Sequence, residues 1–289
     1  MNLSNFLRFS QRTMNSLTSD DARKIFKGKK VLIIGDSISR GIYKDISCLL
    51  FGHNRLLSCD ELRFNRHKNE KQLLFGESID LLQIDRSNST RNLENRKVIS
   101  TDHDYQLYYS FTSRIWNKSM HDLLPKLEQF DFIIIQSMIW DLTRYRDCHG
   151  EVYLKNLHTC LSNIIQINKR IIWPIIPSSN SSNCAFLNEV ISKTRSSLIE
   201  ILQRYGCVFL DLVDALANIS DIRHVDGVHF TPTGHRHITH QLLKIMSNMF
   251  DQHDVTNSCI ELPSTIDSAN ANTCSPTGIY QSTESHQVK

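Results

Sequence analysis

The sequence predicts an α/β protein built on a mostly parallel sheet with helices on both faces. Short apolar runs rich in β-branched residues alternate with helix-length amphipathic segments, the pattern of strands buried on both sides and joined by helical crossovers. One apolar run ends abruptly in Gly-Asp-Ser at residues 35–37, and open α/β sheets place their ligands at that end of a strand. With 289 residues, 40% of them hydrophobic, the chain can form one substantial core.

The amino-terminal half contains one strand and two helices that the pattern predicts directly. After a flexible leader at residues 1–18, Ser-Asp-Asp begins a helix over residues 19–26. Residues 31–34 are an unbroken apolar strand rich in β-branched residues, and a helix follows through residue 50. Residues 52–104 are polar and charged, and we expect them to be an insertion of loops with little regular structure.

The alternation resumes at residue 105 and continues to residue 250. The predicted strands are residues 105–111, 131–136, 170–175 and 207–210. The predicted helices are residues 118–127, 151–168, a stretch within 183–204, and 233–250. We therefore predict one domain over residues 19–250. The tail at residues 251–289 is rich in Ser, Thr, Asn and Gln, a composition typical of disorder.

Composition excludes several classes of protein. A net charge of +3, from 33 basic and 30 acidic residues, gives no electrostatic case for nucleic-acid binding. No stretch has the length of a membrane span, and polar residues interrupt residues 1–17 where a signal peptide needs an apolar core; a transit peptide is the alternative there. The eight cysteines form no Cys-x-x-Cys pair, so we expect reduced thiols and an intracellular, cytoplasmic protein. Nothing in the sequence indicates an oligomeric state.

Ser37 is the candidate nucleophile. Gly35 permits a tight turn after the strand, which puts Asp36 and Ser37 at the amino end of the next helix. The unpaired N–H groups of that helix start can stabilise an oxyanion forming beside the hydroxyl. The alternative is that Asp36 or Ser37 only caps the helix.

Asp226 and His229 are the candidate acid and base. They lie three residues apart, just before the last amphipathic helix, so a compact turn lets the carboxylate orient one ring nitrogen while the other faces the serine. A chance pairing is the alternative, since the chain has 13 histidines.

A metal site is the alternative role for the closely spaced His235, His237 and His240. His237 and His240 share one helical turn, but no carboxylate or cysteine is suitably spaced to complete the set. We therefore expect surface or helix-packing histidines, and no metal or organic cofactor.

A third group of candidates follows the strand that ends at Gln136. If this strand lies beside the Ser37 strand, Gln136, Trp140 and Asp141 line the same crevice. The alternatives are that Trp140 packs in the core and Asp141 caps a turn. Arg114 follows another strand end, and its planar guanidinium suits either a substrate carboxylate or Asp141.

Three motifs together resemble those of the GDSL/SGNH hydrolases and, within them, the PC-esterase domain-containing protein 1 family. They are Gly-Asp-Ser-Ile-x-Arg-x-x-Tyr-Lys-Asp at residues 35–45, Trp-Asp-Leu-x-Arg-Tyr at residues 140–145, and Asp-Gly-Val-His with His-Arg-His within residues 226–237. The resemblance covers roughly residues 19–250. It implies a three-layer α/β/α fold of the flavodoxin-like SGNH type, with Ser37 as nucleophile, His229 as base and Asp226 as its orienting acid.

The resemblance is incomplete at the oxyanion hole. SGNH enzymes place Gly-x-Asn-Asp where this chain has Met-Ile-Trp-Asp at residues 138–141, and the PC-esterase group often has Asn near Gln136. The Ser37 backbone N–H remains as donor, with Gly35, Asp36, Arg114, Gln136, Trp140 and Asp141 as further candidates for oxyanion or substrate contacts.

The function predicted from these residues is a serine esterase that forms an acyl-enzyme on an O-acylated small molecule or glycan. An O-acyltransferase using the same groups is one alternative. A catalytically impaired binding module is the other.

Overall fold

The computed structural model describes residues 17–63, 79–85, 93–100, 102–167, 170–177, 185–216 and 219–257. The chain divides into a compact unit from Met1 to Phe250 and a second unit from Asp251 to Lys289.

The described strands form one seven-stranded sheet with the order β2-β3-β4-β1-β5-β6-β7. Their bounds are β1 Lys29–Gly35, β2 Ile79–Asp85, β3 Leu93–Ser100, β4 Tyr105–Phe111, β5 Phe132–Gln136, β6 Arg170–Ile175 and β7 Val208–Asp211. β2 and β3 pair antiparallel at one edge, and β3 is antiparallel to β4. The remaining neighbours are parallel.

Most helices of the described residues lie in the connections between these strands, while the first precedes β1 and the last two follow β7. Their bounds are α1 Ser19–Phe26, α2 Ser37–Leu50, α3 Cys59–Leu62, α4 Lys118–Leu123, α5 Ile139–Thr143, α6 Glu151–Ile164, α7 Ala185–Arg204, α8 Leu212–Leu216 and α9 Pro232–Asn257, with 3₁₀ turns at Leu124–Gln129 and Ile165–Ile167. α1 and α2 pack on each other and on β1 and β4, while α7 contacts both α5 and α6. The result is a three-layer α/β/α protein, which confirms the predicted fold class.

The parallel strands have the flavodoxin-like order. Counted along the chain, β4-β1-β5-β6-β7 reads 2-1-3-4-5, and such sheets bind ligands where the direction of winding reverses, at the carboxyl ends of the strands. The register aligns Gly35 at the end of β1 with Gln136 on one side and with Phe111 on the other. The prediction that the strand ending at Gln136 lies beside the Ser37 strand is therefore confirmed.

The predicted insertion at residues 52–104 contains regular structure that the sequence analysis missed. α3, β2 and β3 all lie within it, so the expectation of loops with little regular structure was wrong over these elements. The buried positions of β3 alternate as Glu94, Arg96 and Val98, and Glu94 pairs with Arg96. The strand period of two is present, but two inward positions are charged, so apolar periodicity did not reveal it.

The ends of several helices also differ from the predictions. Thr18, assigned to the leader, is the N-cap of α1 in a complete capping box. The helix predicted over 118–127 changes to a 3₁₀ turn, with Pro125 in its first positions. α9 continues past residue 250 to Asn257, and residues 251–257 contain no Gly or Pro that would end it earlier. These residues are helical, whereas the sequence predicted disorder from residue 251 onward. Residues 1–16 and 258–289 lie outside the described part of the chain.

No helix in the described part of the chain combines the length and apolar character that a bilayer crossing needs. The described cysteines Cys48, Cys59, Cys148, Cys160 and Cys207 are free thiols.

Candidate active site

Ser37 lies at the reversal point of the sheet, immediately after β1 and at the first position of α2. Gly35 makes this placement possible. Its φ is +152°, and a Cβ there would lie 2.1 Å from the Gln136 carbonyl oxygen, so only glycine fits between β1 and β5 at this point. The N–H of Ser37 is in the first turn of α2 and has no acceptor within the helix.

Asp36 takes the capping role that the sequence left open between it and Ser37. Its Oδ1 accepts from the Ile38 N–H at 2.9 Å, which leaves the Ser37 hydroxyl available for other partners. Burial raises the pKa of Asp36, and the Ile38 N–H, the His229 charge and the Gln136 amide each oppose that rise. Asp36 is thus a buried structural carboxyl beneath the serine.

Ser37, His229 and Asp226 form a continuous chain of hydrogen bonds. The Ser37 Oγ lies 2.7 Å from His229 Nε2, and His229 Nδ1 lies 2.7 Å from Asp226 Oδ2. With the ring proton on Nδ1 donated to the carboxylate, Nε2 accepts from the hydroxyl. The structure therefore brings together the three residues that the sequence analysis selected from segments 192 positions apart.

The loop that carries His229 fixes the position of the Asp226 carboxylate. Oδ1 of Asp226 accepts the backbone N–H groups of Val228 and His229, each at 2.8 Å. Burial raises the pKa of Asp226, but the hydrogen bonds from His229 and Val228 outweigh it and bring the value to about 2. The carboxylate is ionised at neutral pH and holds the imidazole in one tautomer.

The remaining predicted contacts lie behind this chain of hydrogen bonds. Gln136 is fully buried and its Oε1 accepts from Ser39 Oγ at 3.0 Å. Asp141 is also fully buried and accepts from Arg114 Nε at 3.0 Å, which is one of the two roles considered for Arg114. Burial raises the pKa of Asp141, although Arg114 opposes the rise. Trp140 packs edge-on against Phe111.

A cavity of about 270 Å³ opens beside Ser37, and Ser37, Asp226 and His229 form part of its wall. None of Gly35, Asp36, Arg114, Gln136, Trp140 and Asp141 lines it; their part in oxyanion or substrate binding stays a prediction. The other lining residues come from α2, the segment around α3, and the loop and first turn at α9. They are Arg40, Cys59, Leu62, Arg63, His224, Phe230 and His235.

His235 is the lining residue whose importance the sequence analysis missed, although it did expect helix-packing histidines. Its ring lies against Gly41 of α2, where a Cβ would come within 2.1 Å of Cε1. Burial, followed by the nearby charges of His229 and Arg223, lowers the pKa of His235 to about 3, so the ring is neutral at physiological pH. Gly41 was the sequence signal for this contact, because a glycine inside a helix often marks a place where another group packs closely against the backbone.

His235, His237 and His240 lie in the described part of α9. Among the described residues, no three His, Cys, Asp or Glu side chains are grouped as metal ligands. His235 faces α2, and burial lowers the pKa of both His237 and His240.

The fold and the site define a three-layer α/β/α protein with the flavodoxin-like strand order, in which Ser37, His229 and Asp226 form a hydroxyl–imidazole–carboxylate chain at the end of β1. No protein-family model matches the chain. It is similar to human PC-esterase domain-containing protein 1A, with 28% identity over 245 residues covering 78% of this chain and 53% of the relative. It is likewise similar to human PC-esterase domain-containing protein 1B, with 27% identity over 248 residues covering 78% and 56%. The resemblance of the sequence motifs to the PC-esterase domain-containing protein 1 family is confirmed.

The chain spans about half the length of the curated relatives that it matches. Among solved structures, it is similar to a lipase/acylhydrolase from Enterococcus faecalis. That match has 13% identity, covers 76% of this chain and 96% of the bacterial chain, and has a TM-score of 0.46.

Proposed function

We propose that this protein is a carboxylic-ester hydrolase that acts through an acyl-enzyme at Ser37. One observation carries the proposal: the hydroxyl, imidazole and carboxylate are joined by two hydrogen bonds of 2.7 Å beside an open cavity. A serine hydroxyl is a weak nucleophile by itself, and an adjacent oriented base is what activates it.

The first half of the reaction acylates the serine. His229 Nε2 accepts the Ser37 proton while Oγ attacks the ester carbonyl, and Asp226 stabilises the imidazolium through Nδ1. The Ser37 N–H donates to the oxyanion of the tetrahedral intermediate. The intermediate collapses, the C–O bond to the alcohol breaks, and His229 returns the proton to the departing alkoxide.

The second half releases the acid. His229 removes a proton from water, the resulting oxygen attacks the acyl carbonyl, and the Ser37 oxygen leaves and takes the proton back from the imidazolium. About 45% of the His229 side chain and 43% of the Asp226 side chain are exposed. Water therefore has access to the base for this half of the reaction.

Labelling with a fluorophosphonate probe tests the proposal directly. We expect covalent modification of Ser37, located by peptide mass spectrometry, and its loss in Ser37→Ala and in His229→Ala. A matched control is Ser113→Ala, since Ser113 is a solvent-facing hydroxyl bonded to Tyr145 and does not line the cavity. Absence of labelling in folded wild-type protein contradicts the proposal and favours a binding module. If the protein releases free acid without an acceptor alcohol but forms a new ester in place of the acid when one is added, the result favours a transferase.

A further inference from the structure

Two arginines line the same cavity as Ser37. Arg40 lies one turn into α2 from Ser37, and Arg63 follows the last residue of α3. Both guanidinium groups are charged at any physiological pH and present several N–H donors in a plane, the geometry that binds carboxylate and phosphate oxygens.

The first arginine is held firmly in the cavity wall. Arg40 Nη1 lies 3.1 Å from Glu94 Oε2, and only 11% of the Arg40 side chain is exposed. Glu94 is bound from its other oxygen by Arg96, which is itself buried. This arrangement fixes one guanidinium group relative to the serine on the same helix.

The second arginine is held through its backbone, and most of its side chain is exposed. The buried Lys44 ammonium donates to the carbonyls of Glu61 at 2.7 Å and Arg63 at 2.8 Å. These two hydrogen bonds hold the Arg63 backbone in place. The Arg63 guanidinium reaches Asp60 only at 3.4 Å, and the two side chains are 67% and 89% exposed. Exposed pairs of this kind contribute little, so a bound anion can replace Asp60.

The cavity offers little negative charge to oppose an anion. Of the described residues that line it, Asp226 alone carries a carboxylate, and both of its oxygens are already hydrogen-bonded to His229 and Val228. The His235 ring also lines the cavity, and it packs against Gly41 of α2, the residue that follows Arg40.

We propose that the substrate of this site is an ester that also carries an anionic group, a carboxylate or phosphate, bound by Arg63 and Arg40. This inference rests on the proposed esterase function and narrows its substrate class. An anionic ester is held by charge-assisted hydrogen bonds while its carbonyl lies beside Ser37.

A matched pair of aryl acetates tests the inference in turnover. 4-Acetoxybenzoate and methyl 4-acetoxybenzoate differ in one negative charge and share the same scissile ester. We expect a higher kcat/KM for the acid. In Arg63→Gln the acid-to-methyl-ester ratio should fall about tenfold, the effect of losing a hydrogen bond to a charged group. In Lys155→Gln, which removes an exposed charge on α6 that does not line the cavity, the ratio should not change. Equal ratios in wild type and Arg63→Gln overturn the inference.

Binding to Ser37→Ala separates this inference from the esterase proposal. The same two compounds are titrated into the variant by NMR, with Arg63→Gln added as a second change. Tighter binding of the acid that is lost with Arg63 supports the anionic subsite, even if Ser37 proves unreactive towards fluorophosphonate. Labelled Ser37 together with equal binding of the two compounds refutes the subsite and leaves the esterase proposal standing.

Discussion

Arg236 of α9 forms a bidentate ion pair with Asp45 of α2. Its Nε and Nη2 each lie 3.0 Å from a carboxylate oxygen of Asp45, and both residues are buried. The same guanidinium donates to the carbonyls of Asn54 and Arg55 at 3.1 and 2.8 Å. One side chain therefore joins the helix that begins with Ser37, the helix that follows His229, and the segment that forms one cavity wall.

Removing one partner of this pair should destabilise the protein strongly. We expect Arg236→Met to lower the free energy of unfolding by about 3–5 kcal/mol, because Asp45 is left as a buried charge without its partner. Urea unfolding followed by circular dichroism measures the change. The exposed Lys193–Glu189 pair of α7 is the control, and Lys193→Met should leave the free energy of unfolding nearly unchanged. Similar losses in the two variants would contradict this account.

Gly41→Ala should destabilise the protein although alanine favours helices. The new Cβ would overlap the His235 ring, so we expect a loss of about 1–3 kcal/mol from overpacking. In the His235→Ala background the same change should instead stabilise by up to about 1 kcal/mol, which is the difference in helix propensity. Thermal or urea unfolding of the four proteins gives the coupling between the two positions. Additive effects would show that the ring and Gly41 do not meet.

Acid should destabilise the fold through His235. The pKa of its ring is about 3 in the folded protein and 6.5 in the reference state, so between these values the unfolded chain binds a proton that the native state does not. Stability is therefore complete above pH 6.5 and falls as the pH drops toward 3, by on the order of 1 kcal/mol per pH unit. The urea midpoint at pH 7.0 and 5.0 measures this loss. His235→Gln should reduce the pH dependence, and an unchanged slope would contradict the prediction.

On the proposed esterase function, Asp226→Asn should keep the fold and reduce ester turnover by roughly 10⁴-fold, as replacement of the triad aspartate does in serine proteases. The asparagine carbonyl can still accept the N–H groups that hold the loop, but it no longer selects the tautomer that leaves Nε2 free. Steady-state kinetics on an aryl acetate measures the loss, and circular dichroism checks the fold. Near-normal turnover would mean that another group orients His229.

Strands with apolar buried side chains could be predicted from the sequence, whereas a strand with charged buried side chains could not. Residues 31–34 of β1 and residues 132–135 of β5 are buried and apolar without interruption, so these runs were visible in the sequence. The sequence did not reveal β3, because Glu94 and Arg96 occupy inward positions and neutralise each other there. Pairing of this kind depends on contacts between side chains and leaves no apolar period to detect.

The same limit applies to the site. Ser37, Asp226 and His229 were predictable because each lies next to a local signal, a strand end or a short Asp-x-x-His turn. Gln136 and Asp141 lie at the same sheet edge, but Ser39 and Arg114 hold them inside the protein. Which way a polar side chain turns at a strand end is decided by partners distant in sequence.

The bonds that hold residues 54–63 have a consequence for how this protein can change. Lys44 and Arg236 donate hydrogen bonds to main-chain carbonyl oxygens of this segment, and every residue type supplies such an oxygen. Substitution at Cys59, Leu62 or Arg63 therefore keeps these hydrogen bonds while it changes the side chains that line the cavity. The segment is a natural place to engineer, or to have evolved, new selectivity on an unchanged frame.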